Sequence, residues 1–280
     1  MKSRTLWRAA SAMVAAGLVL AGAAPAQAII NGHPASENYP FVVSIQREYK
    51  GDPNTQWCGG TLVSDNWVIT AAHCVTKPGV NGAPYTSLPP STFHVRIGSN
   101  DRTTGGTVAN VAQIEVRWDW VNKADRNDGK DIALLRLEHV VPNQRAAMVA
   151  KMPPPGTMTR QIGWGYTTID QNSPTQLPVG LNELDSPVVD PATPECVSDP
   201  TAGDAYGIRP GDFCVENPDK VSGSCGGDSG SPVLWKIDGR WQLAGVVSRG
   251  PGDICGQTPD IDTSVVASRG WIIDTIYPNH

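Results

Sequence analysis

The chain has 280 residues, of which 22 are Lys or Arg and 27 are Asp or Glu, so its formal net charge is −5. This acidic balance argues against nucleic acid and against anionic membrane surfaces as partners, because both carry negative charge. The length allows one or two domains.

Residues 1–28 have the composition of an export signal. A small, apolar stretch over residues 9–24 follows three positive residues, Lys2, Arg4 and Arg8, and Ala-Gln-Ala at 26–28 is an A-x-A cleavage site. A membrane anchor is the alternative, but the stretch is shorter than the ~20 apolar residues that a span needs. We therefore expect a signal peptide over 1–28 and a secreted, extracellular chain that keeps 19 Lys and Arg against 27 Asp and Glu.

The rest of the chain consists of short apolar runs separated by Gly, Pro and polar residues. Such runs indicate strands, and they occupy residues 41–45, 57–63, 67–70, 93–97, 108–116, 132–137, 182–189 and 241–247. The pattern predicts an all-β chain and leaves open whether it forms a sandwich or barrels. We expect residues 77–90, which are rich in Gly and Pro, to form a surface excursion.

Two of these runs border residues suited to acid–base chemistry. His73 lies in Thr-Ala-Ala-His-Cys directly after one strand-like run, and Asp131 opens another in Asp-Ile-Ala-Leu-Leu. Histidine is the commonest general base, and an acid beside it can orient its ring. Asp125 and Asp128 are nearby rivals for the acid, but they lie in a polar turn and are better interpreted as solvated.

Ser229 lies within Cys-Gly-Gly-Asp-Ser-Gly-Ser-Pro at residues 225–232. A serine hydroxyl is a poor nucleophile at neutral pH and needs a neighbouring base and donors for the oxyanion that it creates. Glycines on both sides let the backbone turn sharply and present bare N–H groups. A Gly-rich hairpin turn is the simpler interpretation of this run alone. The order His73, Asp131, Ser229 favours a nucleophile, because it is a known order of a catalytic triad.

In order and local context the three motifs resemble the chymotrypsin family of trypsin-like (S1-type) serine proteases, of the secreted bacterial type. The resemblance covers nearly all of the chain after the leader: Ile-Ile-Asn-Gly at 29–32 resembles the mature family N-terminus, Gly-Trp-Gly at 163–165 a strand of the second barrel, and Trp-Ile-Ile at 271–273 the closing helix. An α/β-hydrolase esterase fails on order, since that class runs serine, acid, histidine.

The family resemblance implies an all-β fold of two packed six-stranded antiparallel β-barrels with a short C-terminal helix. The site would then lie in the cleft between the barrels. We expect one protease domain over residues 29–280, with the N-terminal barrel at about 29–150 and the C-terminal barrel plus helix at about 151–280.

Six cysteines in an exported chain predict disulfides, although the sequence alone leaves several pairings open. The family pattern implies the sequential pairs Cys58–Cys74, Cys196–Cys214 and Cys225–Cys255. The chain has no C-x-x-C pair and no histidine at ligand spacing, and a calcium loop is not recognisable at residues 99–106. We expect neither a required metal nor a cofactor.

The resemblance also implies roles for residues around the triad. Backbone N–H groups of Gly227 and Ser229 would bind the oxyanion, and Ser248 would support Asp131, although an ordinary strand serine is the alternative for Ser248. Asp228 would pair with the free α-ammonium of Ile29, the first residue after the predicted signal site. Signal cleavage alone would then release the activating amine.

The primary specificity pocket of the family is implied to be lined by Gly223, Ser224, Ser248, Gly250 and Asp260. Trypsin has an aspartate at the pocket floor six residues before the nucleophile, where this chain has Gly223. Asp260 falls where most members have a glycine, so a relocated carboxylate would favour Arg or Lys before the cut. Alternatively Asp260 is solvated or paired with Arg249, which stands where the family usually has a tryptophan beside the pocket, and the pocket is neutral and accepts large apolar or varied residues.

We therefore expect a secreted, monomeric serine endopeptidase acting on proteins or peptides through an acyl-enzyme, with a modest preference for Arg or Lys. A protein inhibitor is a further expected partner. A catalytically silent homologue that acts as a binding protein is the alternative from another class, and the presence of all three triad residues argues against it.

Overall fold

The computed structural model describes residues 29–123, 130–167, 177–199, 203–216, 219–252 and 254–278. The predicted signal peptide and the rival acids Asp125 and Asp128 lie outside the described residues. Strands dominate the described part, which also contains the short α-helices α1 (Pro194–Val197) and α2 (Arg269–Ile276). No helix in these ranges is long and apolar enough to cross a membrane.

The first half of the chain forms nine strands. In chain order they are β1 (His33–Pro34), β2 (Val42–Tyr49), β3 (Asp52–Ser64), β4 (Trp67–Thr70), β5 (Thr76–Pro78), β6 (Tyr85–Ser87), β7 (His94–Ile97), β8 (Thr107–Val116) and β9 (Ala133–Leu137). Six of them close an antiparallel barrel in the order β2-β3-β4-β9-β8-β7. The predicted excursion at 77–90 is partly ordered, because β5 and β6 pair as a separate two-stranded sheet.

The core of the first barrel follows the two-residue period of its strands. Val43 pairs with Ile97 and Ile45 with Val95, and all four side chains are fully buried. β-Branched residues suit such inward positions because they pack well on a pleated surface. Inward-facing side chains from opposite sides of the barrel therefore fill its interior.

The second half forms seven further strands. They are β10 (Ala147–Met148), β11 (Met158–Gly163), β12 (Asn182–Val189), β13 (Asp212–Val215), β14 (Pro232–Ile237), β15 (Arg240–Arg249) and β16 (Asp260–Ser264). Antiparallel pairing runs β12-β11-β14-β15-β16-β13, and a β12–β13 pairing closes this path into a second six-stranded barrel. The predicted all-β, double-barrel fold with a short C-terminal helix is confirmed.

The beginning of the described chain packs on the second barrel. β1 pairs with β12, and β10 pairs with β15. The fully buried Glu183 on β12 accepts hydrogen bonds from the Ser36 hydroxyl at 2.6 Å and the Tyr39 hydroxyl at 2.5 Å, and lies 2.7 Å from Arg160. This network fixes residues 33–39 against the second barrel and so brings Ile29 beside the loops of that barrel.

Candidate active site

His73 lies on a one-turn 3₁₀-helix, Ala72–Cys74, that follows β4 at the rim of the first barrel. Its backbone N–H donates to Asp131 Oδ1 at 2.8 Å, and its ring Nδ1 lies 2.6 Å from Asp131 Oδ2. Two contacts to one carboxylate fix both the backbone and the ring orientation of His73. The Cys58–Cys74 disulfide joins this turn to β3 and restrains it further.

Asp131 precedes β9 and is fully buried. Its Oδ2 accepts a third hydrogen bond, 2.7 Å long, from the hydroxyl of Ser248 on β15. Burial alone would raise the pKa of Asp131, but the neighbouring His73 and the hydrogen bonds from His73 and Ser248 lower that pKa to about 2. Asp131 is therefore an anion at neutral pH and holds Nδ1 as the protonated ring nitrogen.

Ser229 lies at the junction of the two barrels. Its carbonyl accepts a 2.8 Å hydrogen bond from the N–H of Gly59 on β3, and the next residue, Gly230, donates to the carbonyl of Val247 on β15 at 2.7 Å. Gly230 has a φ of 76°, which L side chains rarely adopt. A Cβ at Gly230 would also lie 2.6 Å from the Gly59 carbonyl, so only glycine fits beside Ser229.

Ser229 and His73 line one open cavity of about 540 Å³. The first barrel contributes His73 together with Trp57 and the Cys58–Cys74 disulfide. The second barrel contributes Ser229 and the segments 224–227, 247–250 and 254–256, together with Gly252, Thr258 and Asp260. Ser229 and His73, far apart in sequence, thus face one space that a peptide can enter.

The turn before Ser229 exposes backbone donors. Gly227 has a φ of 96° and lines the cavity. Among the described residues, neither the Gly227 nor the Ser229 backbone N–H donates a hydrogen bond to the protein. A Cβ at Gly227 would lie 3.0 Å from the Gly165 Cα, so the close packing of this turn requires glycine as well. Two free N–H groups next to a serine hydroxyl are suited to bind an oxyanion.

Asp228 turns away from the cavity and is buried against Gly-Trp-Gly at 163–165. It accepts hydrogen bonds from the N–H groups of Gly165 at 2.8 Å and Cys225 at 3.0 Å. Burial nevertheless raises the pKa of Asp228 to about 7. The buried residue Ile29 precedes Ile30, whose N–H donates to the carbonyl of Gly223 at 2.9 Å.

Asp260 on β16 lies beside Gly223 at the cavity wall. A Cβ on Gly223 would be 3.2 Å from Asp260 Oδ2. The carboxylate accepts hydrogen bonds from Ser224, through its N–H at 3.0 Å and its hydroxyl at 2.7 Å, and from Gln161 Nε2 at 3.0 Å. Burial raises the pKa of Asp260, and these hydrogen bonds oppose the rise.

A comparison with protein-family models decides the family. The model described as trypsin matches residues 29–272, which is most of the chain and includes every residue of the site. The chain belongs to the trypsin family. Trypsin-family proteins are serine endopeptidases, hydrolases that act on protein and peptide substrates.

Arg249 differs from the tryptophan that the family resemblance leads one to expect. Its Nη2 lies 2.5 Å from Asp212 Oδ2 on β13, and its guanidinium donates to the carbonyls of Tyr206 at 3.0 Å and Gly207 at 2.8 Å. The ion pair is buried, with both side chains at most 2% exposed. Arg249 therefore pairs with Asp212. The alternative, in which Arg249 pairs with Asp260, is wrong.

Asp212, Gln161 and Asp262 were not among the residues predicted from the sequence. Gln161 on β11 contacts Asp260 on β16, and Asp212 on β13 contacts Arg249 on β15, so both contacts join strands that are not hydrogen-bonded to each other, and no local motif marks them. The available signal is the presence of acids at 212, 260 and 262, each next to an apolar residue. Isolated strand acids usually face solvent, so the pattern alone does not place them inside a barrel.

The described residues include one tight group of metal-ligand types, formed by Cys58, His73 and Cys74. Both sulfurs are joined in the disulfide, so they are not thiolates and do not offer the ligands that a zinc site needs. The remaining disulfides are Cys196–Cys214 and Cys225–Cys255. The last of these ties the Ser229 turn to the segment that leads into Asp260.

Proposed function

We propose that this trypsin-family chain is a secreted endopeptidase that uses Ser229 as nucleophile, His73 as general base and Asp131 to orient the histidine. The main support is the Asp131 carboxylate, which is buried, ionised and bonded to both the ring and the backbone of His73. Ser229 and His73 line the same cavity, where a scissile carbonyl can reach both.

The reaction follows from these positions. His73 Nε2 removes the proton of the Ser229 hydroxyl as the oxygen attacks the substrate carbonyl, and the tetrahedral oxyanion forms within reach of the Gly227 and Ser229 N–H groups. His73 then gives the proton to the leaving amine, and the C–N bond breaks to leave an acyl-enzyme on Ser229. A water, deprotonated by the same nitrogen, hydrolyses this ester and restores the serine.

Asp228 is proposed to receive the α-ammonium of Ile29 after the signal peptide is removed. A buried carboxylate with a raised pKa lacks a sufficient counter-charge, and a buried ammonium would supply one. Ile29 is 1% exposed and its neighbour Ile30 is bonded to Gly223, next to the Asp228 turn. This pairing would order the turn that carries Gly227 and Ser229.

Asp260 is proposed to bind the Arg or Lys side chain that precedes the cut. A carboxylate offers about four acceptor positions. Ser224 and Gln161 donate three hydrogen bonds to it, which leaves capacity for one further donor from a substrate. A pocket with a single partly satisfied acid supports a modest basic preference rather than a strict one, and large apolar residues are the alternative occupants.

Covalent labelling tests the chemistry. A fluorophosphonate should label the mature protein on Ser229, and Ser229→Ala and His73→Ala variants should not be labelled. An unlabelled native protein would favour a silent homologue that binds without cleaving. Peptides that differ only in the residue before the cut test the pocket: cleavage after Phe, Tyr or Leu equal to that after Arg, or an Asp260→Gly variant that keeps its Arg activity, would exclude the role of Asp260.

N-terminal sequencing tests the processing step. Active protein recovered from the culture medium should begin Ile-Ile-Asn-Gly, from Ile29, and should be monomeric by light scattering. A start upstream of Ile29 would require a second processing step. A protein inhibitor that fills the cleft between the barrels is the further partner that we propose, and it should block fluorophosphonate labelling of Ser229.

A further inference from the structure

Asp262 is a buried acid near Asp260 that the proposed mechanism does not use. It lies two residues after Asp260 on β16, so the two side chains are on the same face of the strand. Asp262 is fully buried, and neither of its carboxylate oxygens has a hydrogen-bond partner among the residues that the structure describes. A buried ionised carboxylate without partners is strongly disfavoured.

The charges around Asp262 do not balance. On β13 the facing charged group is Asp212, on β15 it is Arg249, and on its own strand it is Asp260. Arg249 is already committed to Asp212 at 2.5 Å. Two buried carboxylates, Asp260 at the cavity wall and Asp262 two residues further along the same strand face, therefore have no cation of their own among the described residues.

More distant charges add to the same imbalance. Asp228 on the Ser229 turn interacts with Asp260, and Asp131 interacts with Asp212. Both are acids. Burial, together with the charges of Asp260 and Asp212, raises the pKa of Asp262 well above its usual range, and Arg249 only partly opposes this.

We propose that Asp262 is a specificity-determining residue: it holds a proton in the free enzyme, and an Arg or Lys side chain bound at Asp260 competes with that proton. The inference rests on the proposed basic preference of the pocket. In the binding step the substrate cation enters, Asp262 loses its proton to solvent, and one positive charge replaces another. Neutral residues before the cut bind without this exchange.

The exchange makes preference depend on pH. Raising the pH removes the competing proton, so the ratio of kcat/KM for an Arg substrate to that for a matched Leu substrate should rise. Full release of one proton corresponds to about tenfold in the ratio per pH unit. Taking the ratio cancels every pH effect that acts equally on the cleavage of both substrates.

The experiment compares the mature native enzyme with Asp262→Asn between about pH 6 and about pH 9. We expect a ratio that rises about tenfold or more in the native enzyme and is flat in Asp262→Asn, where Asp260 titrates alone. Asp238→Asn, which removes an exposed acid from the β14–β15 turn, should behave like the native enzyme. A merely structural role for Asp262 would alter stability and leave the native pH profile unexplained.

Calorimetry gives a second readout. Benzamidine, a soluble arginine-like cation, should release a proton on binding to the native enzyme, seen as a binding enthalpy that depends on the buffer, and Asp262→Asn should release less. If Asp262→Asn does not fold, the proposal is still tested by two measurements on the native enzyme: the pH profile of the Arg-to-Leu kcat/KM ratio and the proton release on benzamidine binding. A flat native ratio with Arg preference intact overturns the role of Asp262 alone, whereas absence of Arg cleavage at every pH, with Leu cleavage intact, overturns the basic preference as well.

Discussion

The hydroxyl of Ser248 donates a 2.7 Å hydrogen bond to Asp131 Oδ2 and so joins the second barrel to the acid of the first. Ser248 is the second-last residue of β15, whereas Asp131 lies two residues before β9. The orientation of His73 therefore depends on the packing of the two barrels against each other, because the carboxylate that holds the ring is itself held from the opposite side.

Removing this hydroxyl should weaken catalysis without abolishing it. Ser248→Ala takes away one of three hydrogen bonds to Asp131, and a lost hydrogen bond to a charged group is worth about 1.5 kcal/mol, or about tenfold in rate. We expect kcat to fall about tenfold with KM nearly unchanged. Ser87→Ala, at an exposed strand position, is the control. An unchanged kcat in Ser248→Ala would mean that Asp131 does not need this support.

Gly223 should be intolerant of even a methyl group. Gly223→Ala places a Cβ 3.2 Å from Asp260 Oδ2 and 3.3 Å from the Gly256 Cα, so the acid must move. We expect kcat/KM for Arg substrates to fall about tenfold, a loss equivalent to about 1.4 kcal/mol. Gly270→Ala meets nothing within 4 Å and should match the native enzyme. Equal Arg activity in Gly223→Ala would separate Gly223 from the specificity pocket.

Removing one partner of the buried Arg249–Asp212 ion pair should destabilise the fold more than replacing both partners. Arg249→Met leaves the Asp212 carboxylate buried and unpaired, which typically costs about 3–5 kcal/mol. We expect that loss in the free energy of unfolding by denaturant, and recovery of most of it in Arg249→Met/Asp212→Leu. A double variant no more stable than Arg249→Met would show that the pair is not the source of the loss.

Asp228 should make the unprocessed chain sensitive to pH. While residue 28 is attached to Ile29 there is no ammonium partner, and the pKa of Asp228 stands at about 7 in the folded state against an ordinary value of 3.8. Because the folded state binds this proton more tightly, the protonated carboxyl stabilises the fold fully below about pH 4. This contribution is lost as the pH rises through about 7, and the free energy of unfolding falls by about 4 kcal/mol.

The measurement is denaturant unfolding of the unprocessed chain, with its disulfides intact, below about pH 4 and above about pH 7. Asp228→Asn should remove most of the pH dependence of the free energy of unfolding of the unprocessed chain. In the processed enzyme the same substitution should instead reduce stability and activity, because it removes the proposed partner of the Ile29 ammonium. If the unfolding free energy of the unprocessed chain depends on pH equally with and without Asp228→Asn, Asp228 is not the group responsible.

The sequence predicted the parts of this protein that are coded locally. His73 and Ser229 lie in short motifs whose flanking residues are needed for sharp turns, as the φ of 76° at Gly230 illustrates. Short apolar runs between turn residues predicted strands. Barrel closure did not follow from pattern, because the β12–β13 pairing that closes the second barrel joins segments with no shared local signal.

Contacts across strands account for what sequence reasoning missed. The sequence around Arg249 does not explain why an arginine stands there, because its partner Asp212 lies on a different strand, 37 residues away. Asp262 is likewise defined by what it lacks: its burial and its unpartnered oxygens depend on the whole barrel around it. Electrostatic roles of strand residues therefore had to come from the structure.

The most direct test of the central claim is a double-mutant cycle on the proposed nucleophile and base. His73→Ala and Ser229→Ala should each lower kcat by about 10⁶, and the double variant should lose no more than either single variant, because the residues act as one unit. Benzamidine binding and circular dichroism establish that each variant is folded. Losses that multiply in the double variant, or a Ser229→Ala enzyme within about tenfold of native activity, would contradict the triad.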